Sequence, residues 1–240
     1  MQPLPAFFFP TQTIIIDDDC QFLESLSLSL DYNTDSYKFF SNPILALSFI
    51  NENLEKRKWI NKYIKSIEEE ETDHKVIDIN ISDLYNEIYN QERFNVITNI
   101  VVDFDMPILN GLEFCERLKD VNINKILLTG TVDDKSAIDA FNRGLINYFI
   151  PKNSDNISEI LNTSICNGTN SYFNNLSQMI YTSIRTNKNN IMFDNNSFVS
   201  LLHSIIQEKI SLNINLLGES GSYLNGKQQR TYWHTTYNHR

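Results

Sequence analysis

Three carboxylates, a hydroxyl and an ammonium lie at the ends of short apolar runs in this sequence. Asp17 and Asp18 follow Thr13 to Ile16, and Asp103 follows Ile100-Val101-Val102. Thr129 closes Lys125 to Leu128, and Lys152 comes after Asn147 to Ile150 and Pro151. Carboxylates brought to one point repel each other unless a cation joins them. Hard oxygen ligands suit Mg²⁺, which keeps several waters and accepts phosphate oxygens. Asp105, two residues past Asp103, can add a backbone carbonyl. A carboxylate is also a nucleophile toward phosphorus and gives an aspartyl phosphate. A metal, Lys152 and Thr129 would then neutralise and hydrogen-bond the phosphoryl oxygens. Each group is weak evidence singly, because a strand-end Asp often only caps a helix and a lone Thr or Lys is usually structural or solvated. The case rests on their joint placement at successive strand ends.

The runs that carry these groups have the length and β-branched character of buried strands. Helices are predicted between them. Phe22, Leu23, Leu26 and Leu30 recur at helical spacing after Asp19, a predicted N-cap. Tyr37 to Phe40 reads as a further strand, and Asn42-Pro43 starts a helix through Leu47, Ile50 and Leu54. Pro107 and Asn110-Gly111 break the strand that delivers Asp103, and a helix is predicted from about Leu112 to Lys119. Asp133 or Asp134 caps a helix through Ala137, Ile138, Ala140 and Phe141, closed by Gly144. Asp155 opens another through Ile157, Ile160 and Leu161. Strand and helix alternate five times, which implies an α/β fold with a doubly wound parallel sheet. Ligands of such sheets bind at the carboxyl ends of the strands, where the five groups are placed.

Roughly 40 residues interrupt this alternation, more than a connection needs. From about 53 to 95 the helical period continues through Ile60, Tyr63, Ile64 and Ile67, and Ser82-Asp83 opens a short helix with Leu84, Ile88 and Tyr89. The segment reads as a helical insertion. Its basic run (Lys56 to Lys65) and acidic run (Glu68 to Glu71) read as solvated faces. Residues 11–163 form the predicted α/β domain, and 164–224 a mostly helical extension. In the extension, Tyr172, Phe173, Leu176, Ile180 and Ile184 mark one helix and Phe198, Leu201, Leu202 and Ile205 another. Asn213 to Leu217 and Ser222 to Leu224 flank Gly218-Glu219-Ser220-Gly221 as a small hairpin. Residues 225–240 are polar and aperiodic, and a disordered tail is expected there.

The net charge of −10 over 240 residues argues against a nucleic-acid partner and against an anionic membrane surface. No apolar run approaches the roughly 18 residues of a membrane span. The Ala6-Phe7-Phe8-Phe9 cluster lacks the basic flank and cleavage site of a signal peptide. Cys20, Cys115 and Cys166 are odd in number and not in metal spacing, which suits a cytoplasmic setting. Past Ile165 the basic residues are scattered, so no DNA-binding helix is read. His203, on an otherwise apolar predicted helix, reads as structural.

Ile14-Ile15-Ile16-Asp17-Asp18-Asp19, Val101-Val102-Asp103-Phe104-Asp105-Met106-Pro107 with Asn110-Gly111, Ile126-Leu127-Leu128-Thr129-Gly130 and Tyr148-Phe149-Ile150-Pro151-Lys152 together resemble the receiver domain of two-component response regulators. The resemblance covers about Thr13 to Thr163 outside the insertion. It implies a flavodoxin-like strand order 2-1-3-4-5, Asp103 as phosphoacceptor, and Mg²⁺ held by Asp17, Asp18, Asp103 and the Asp105 carbonyl. It further implies Thr129 as switch hydroxyl, Phe149 as switch aromatic and Lys152 as the phosphate-binding lysine. The phosphoryl donor would be a sensor histidine kinase or a phosphotransfer protein, and the output a contact with a downstream protein or a homodimer. The chain departs from the family in its insertion, in Asn153 where a Pro usually follows the lysine, and in Gly130 after the hydroxyl. Two other readings compete. One is a receiver-fold adaptor that works without phosphorylation. The other is a haloacid-dehalogenase-type phosphatase with Asp103 as nucleophile and Asp105 as acid/base, although that family places its acidic pair after the Asp-x-Asp strand.

Overall fold

A computed structural model describes residues 7–32, 35–56, 64–68, 75–79, 90–118, 122–130, 135–185, 213–215 and 223–225. In chain order the elements are β1 (Phe7–Phe8), β2 (Thr11–Ile16), α1 (Cys20–Ser29), β3 (Asp35–Phe40), α2 (Pro43–Lys56), β4 (Ile64–Glu68) and β5 (Lys75–Ile79). A 3₁₀ turn (Gln91–Asn95) precedes β6 (Ile97–Asp103), α3 (Gly111–Arg117), β7 (Asn124–Thr129), α4 (Lys135–Asn142) and β8 (Tyr148–Pro151). The long helix α5 (Ile157–Arg185), β9 (Asn213–Asn215) and β10 (Tyr223–Asn225) complete the chain. These divide into two compact units, one of residues 11–57 and 95–172, the other of 1–10, 58–94 and 173–240.

The first unit is built on a five-stranded sheet of order β3-β2-β6-β7-β8, every pairing parallel. Counted along its own strands that order is 2-1-3-4-5. The three inner strands are buried on both faces, which is why their sequences run apolar instead of alternating. One face packs Ile14, Ile16, Ile100, Val102 and Leu127 against Ala46 and Ile50 of α2, Phe114 of α3 and Ala137 and Ala140 of α4. The other packs Ile15, Val101, Ile126 and Leu128 against Leu23 and Leu26 of α1 and Leu161 and Ile165 of α5. The predicted caps at Asp19 and Asn42 are present. Asp19 Oδ1 accepts from Gln21 N and Phe22 N, and Asn42 Oδ1 from Ile44 N and Leu45 N. Gly144 ends α4 at φ +69°, with Leu145 N–H donating to Ala140 O.

The amino edge of the sheet is polar. The register shifts between Gln12–Ile97 and Thr13–Asn99, so Thr98 is the extra residue of a β-bulge. With the bulge, two successive side chains reach α5: Asn99 Nδ2 donates to Thr169 Oγ1 at 2.9 Å, and Thr98 Oγ1 shares a bond with the same hydroxyl at 3.3 Å. Asn124 Nδ2 donates to Asn99 Oδ1 at 2.8 Å, and Thr11 Oγ1 donates to Asp35 Oδ1 at 2.7 Å. Gly168 of α5 lies directly over this network. A Cβ there would overlap Asn99 Oδ1 and Asn124 Nδ2.

Two boundaries differ from the sequence-based expectation. Residues 64–68 and 75–79 form an antiparallel pair, where a helical insertion was expected. Ile64, Ile67, Val76, Ile77 and Ile79 are β-branched, and the register sets Lys65 opposite Asp78 and Glu68 opposite Lys75. The spacing of Ile60, Tyr63, Ile64 and Ile67 fits a helix only while the partner strand is unknown. Second, no break falls near residue 163. α5 is one helix of 29 residues through the polar stretch Thr163 to Ser171. The helical signal weakens there because most of the buried positions, Ser164, Gly168 and Thr169 beside Ile165, are not apolar. The expected hairpin is present, with Leu224 opposite Ile214, and β1 pairs on the other side of β9. In that second unit the Phe9 ring stands edge-on to Phe94 and Phe173, and the Arg93 guanidinium lies 4.7 Å from the Phe94 centroid. The helix expected at Ser82, the caps Asp133 and Asp134, the helix through Phe198 to Ile205 and the tail from 226 fall outside the described residues. No helix among the described residues is long and apolar enough to cross a membrane.

Candidate functional site

Each strand end delivers its group by main-chain pairing. Asp17 follows β2 directly; its N–H donates to Phe40 O at 3.1 Å, and its Oδ1 accepts from Asp19 N at 3.0 Å. Asp103 is the last residue of β6, and the next N–H, of Phe104, donates to Leu128 O at 2.8 Å. Thr129 closes β7 and is almost fully buried. Lys152 follows β8, its N–H donating to Thr129 O at 2.8 Å, and Ser154 N–H closes a turn on Pro151 O. Asn153, in the position after the lysine, is therefore compatible with the lysine reaching the site.

The side chains converge. Lys152 Nζ lies 2.7 Å from Asp17 Oδ2 and 2.8 Å from Asp103 Oδ1. Asp17, Asp18 and Asp103 each bring a carboxylate oxygen within 4.8 Å of the others. Burial pushes the Asp17 carboxyl above its ordinary value of 3.8; Lys152 and the Asp19 N–H oppose the shift, and the Asp103 charge adds to it. Burial alone would lower the Lys152 pKa, but the two carboxylates outweigh it and hold the lysine above 10.5. An isolated pair would hold both partners charged. Here Asp17 moves the other way because the burial of its own carboxylate outweighs an ammonium that it shares with Asp103. Three carboxylates facing one ammonium are the donor set and charge imbalance that a hard divalent cation takes.

The loop after Asp103 is tight. Leu109 N–H donates back to Pro107 O at 2.9 Å around Ile108, whose φ of 76° is rare for a β-branched residue. Met106 and Leu109 are buried beside it while Ile108 is exposed. Gly111 N–H donates to Phe104 O at 3.0 Å, and a Cβ on Gly111 would overlap the Asp103 carbonyl oxygen and come within 2.8 Å of Leu127 Cδ1. Asn110-Gly111 is thus more than a strand break. Asn110 caps α3 by accepting from Glu113 N, and the glycine lets the helix start against the backbone of Asp103.

Of the residues singled out in the sequence, Asp17, Asp18, Asp103 and Lys152 come together directly, and Thr129 lies at the adjoining strand end. Asp105 is exposed in the loop. Phe149 is 41% exposed on β8, its ring edge-on to Phe141 of α4 at 6.5 Å. One neighbour was not read as part of the site. The Phe22 ring on α1 lies 4.8 Å from Lys152 Nζ.

A solved structure of the Legionella pneumophila response regulator LqsR is 31% identical over 92% of this chain, with a TM-score of 0.68. The sheet unit is a response-regulator receiver domain. This chain spans 64% of the length of that structure. The adenylate cyclase structure from Rhodopirellula baltica matches 72% of this chain and 98% of its own at 19% identity and a TM-score of 0.48. A response regulator receiver domain protein from Clostridium thermocellum matches 67% and 94% at 19% identity and 0.45. At such identities and scores these two add nothing to the receiver assignment. No family model matches the chain, and no curated protein matches it.

Proposed function

We propose that this receiver accepts a phosphoryl group on Asp103 from a phosphohistidine, on a sensor kinase or a phosphotransfer protein, and thereby regulates a downstream protein. The observation that carries the reading is the Lys152 ammonium bonded to both Asp17 and Asp103 at the carboxyl edge of the sheet. In the transfer, an Asp103 carboxylate oxygen bonds to phosphorus as the phosphorus–nitrogen bond of the donor breaks and the imidazole leaves with the electron pair. Asp17, Asp18, Asp103 and the Asp105 carbonyl would hold Mg²⁺, which supplies charge neutralisation for the phosphoryl oxygens. Lys152 exchanges its bond to the Asp103 carboxylate for one to a phosphoryl oxygen. Thr129 donates its hydroxyl to another, and movement of Thr129 gives Phe149 space to turn inward. The chain is in this reading a phosphoacceptor and not a turnover enzyme, working in the cytoplasm. Incubation with acetyl phosphate and Mg²⁺ followed by intact-mass measurement tests it. A phosphoryl adduct that disappears in Asp103→Asn is expected, and absence of any adduct would leave the adaptor reading in its place.

A further inference from the structure

Phe22 is in the first turn of α1, three residues after the cap Asp19. By periodicity it belongs to the apolar stripe of Leu23 and Leu26, and its ring does pack against their core. Unlike them it is only half-buried, and its ring faces the lysine of the site. The Lys152 ammonium meets Asp17 Oδ2, Asp103 Oδ1 and the Phe22 ring. A lysine head on a four-carbon stem has many positions open to it. Its two carboxylate contacts are also the ones disturbed when a cation and a phosphoryl group enter. The ring face is uncharged and attracts an ammonium over a broad area, so it is the partner that persists through those changes.

We propose that Phe22 is a positioning residue for phosphoryl transfer, its ring holding the Lys152 ammonium over the phosphoacceptor by cation–π attraction. The proposal rests on the reading of Asp103 as the phosphoacceptor. It separates from plain core packing because leucine or methionine would fill much of the same apolar space, yet neither offers a ring face.

The test measures the initial rate of adduct formation by the full chain, with acetyl phosphate and Mg²⁺, over a range of donor concentrations. Phe22→Leu is expected to lower the limiting rate about three- to tenfold, the range of a partly desolvated cation–π contact, with the half-saturating donor concentration unchanged. Phe22→Tyr, which keeps the ring face, is expected to restore the rate. In a Lys152→Ala background Phe22→Leu is expected to have no further effect, because the residue acts through the lysine. If Phe22→Leu does not fold, Phe22→Met is read in the same way. An unchanged rate in the leucine variant, equal losses in the leucine and tyrosine variants, or a further loss in the Lys152→Ala background would each reduce Phe22 to core packing. An adduct that survives Asp103→Asn would overturn the phosphoacceptor reading as well, which separates that failure from the failure of Phe22 alone.

Discussion

At the carboxyl edge of the sheet two buried carboxylates share one ammonium, whereas at the amino edge hydroxyls and amides answer one another beneath α5. Both regions are polar, and both hold buried side chains, although Asp18 at the carboxyl edge is exposed. At the amino edge most polar groups find partners: Asn99 and Asn124 bond to each other, the threonines bond to Asn99 and to Asp35, and Gly168 closes the cover, while Gln12 Oε1 is buried without one. The carboxyl edge carries surplus negative charge, and its strained loop at Ile108 adds to what the fold must support. A network of neutral groups that bond to one another inside the protein stabilises and specifies a packing. One whose charges do not balance is where a ligand that restores the balance is to be sought.

Substitutions at the two edges should therefore separate activity from stability. The largest effect is expected for Asp103→Asn, which abolishes the acetyl-phosphate adduct while the urea midpoint stays at least as high as that of the parent. Gly168→Ala should do the opposite. Overlap with Asn99 and Asn124 costs about 3 kcal/mol, partly offset by the roughly 1 kcal/mol better helix propensity of alanine, so a net loss of about 2 kcal/mol is expected in urea unfolding. The folded fraction should still form the adduct. Thr169→Val removes the hydroxyl that Asn99 and Thr98 share and is expected to cost about 1–2 kcal/mol by the same measurement, without altering the phosphorylation rate. If Thr169→Val slowed phosphorylation instead, the two edges would not be independent.

The smallest effect concerns charge alone. Asp17 has its folded pKa raised, so the folded state holds that proton more tightly than the unfolded chain does. Its contribution to stability falls as pH rises from 3.8 toward the raised value and stays reduced above it. Asp17→Asn, measured at neutral pH without divalent cations, should raise the melting temperature by roughly 2–4 °C, the shift that about 1 kcal/mol gives at this size. It should also flatten the decline that sets in as pH rises above 3.8 and, under the proposed cation reading, weaken the response of the melting temperature to added Mg²⁺. A lower melting temperature at neutral pH would mean that the bond from Lys152 outweighs the burial of the charge.

Much of the carboxyl edge was legible in the sequence because its signals are local. A β-branched run followed by Asp or Thr, then turn residues and a capped helix, can be read within a dozen residues, and Asp19 and Asn42 cap their helices as the sequence suggests. The hairpin at β4 and β5 was read as helix because the spacing of Ile60, Tyr63, Ile64 and Ile67 satisfies a helical period. The opposing strand that settles the matter is not adjacent in that pattern. In sequence α5 reads as two helices because the stretch between Leu161 and Tyr172 has too few apolar residues to carry a stripe, and its polar partners lie on distant strands.

By itself, then, the sequence determined the four strand ends that carry the site groups, the residue types there and the parallel winding that gathers them, since all three follow from short-range pattern and the handedness of the chain. Only the tertiary structure decided that Lys152 bridges Asp17 and Asp103, that Phe22 faces the same ammonium, that Gly111 yields space to the Asp103 carbonyl and that a bulge at Thr98 builds a polar floor for α5. Such contacts join residues far apart in the chain, as Lys152 and Asp17 are. Their geometry depends on register and on close packing, which no local pattern of residue types encodes.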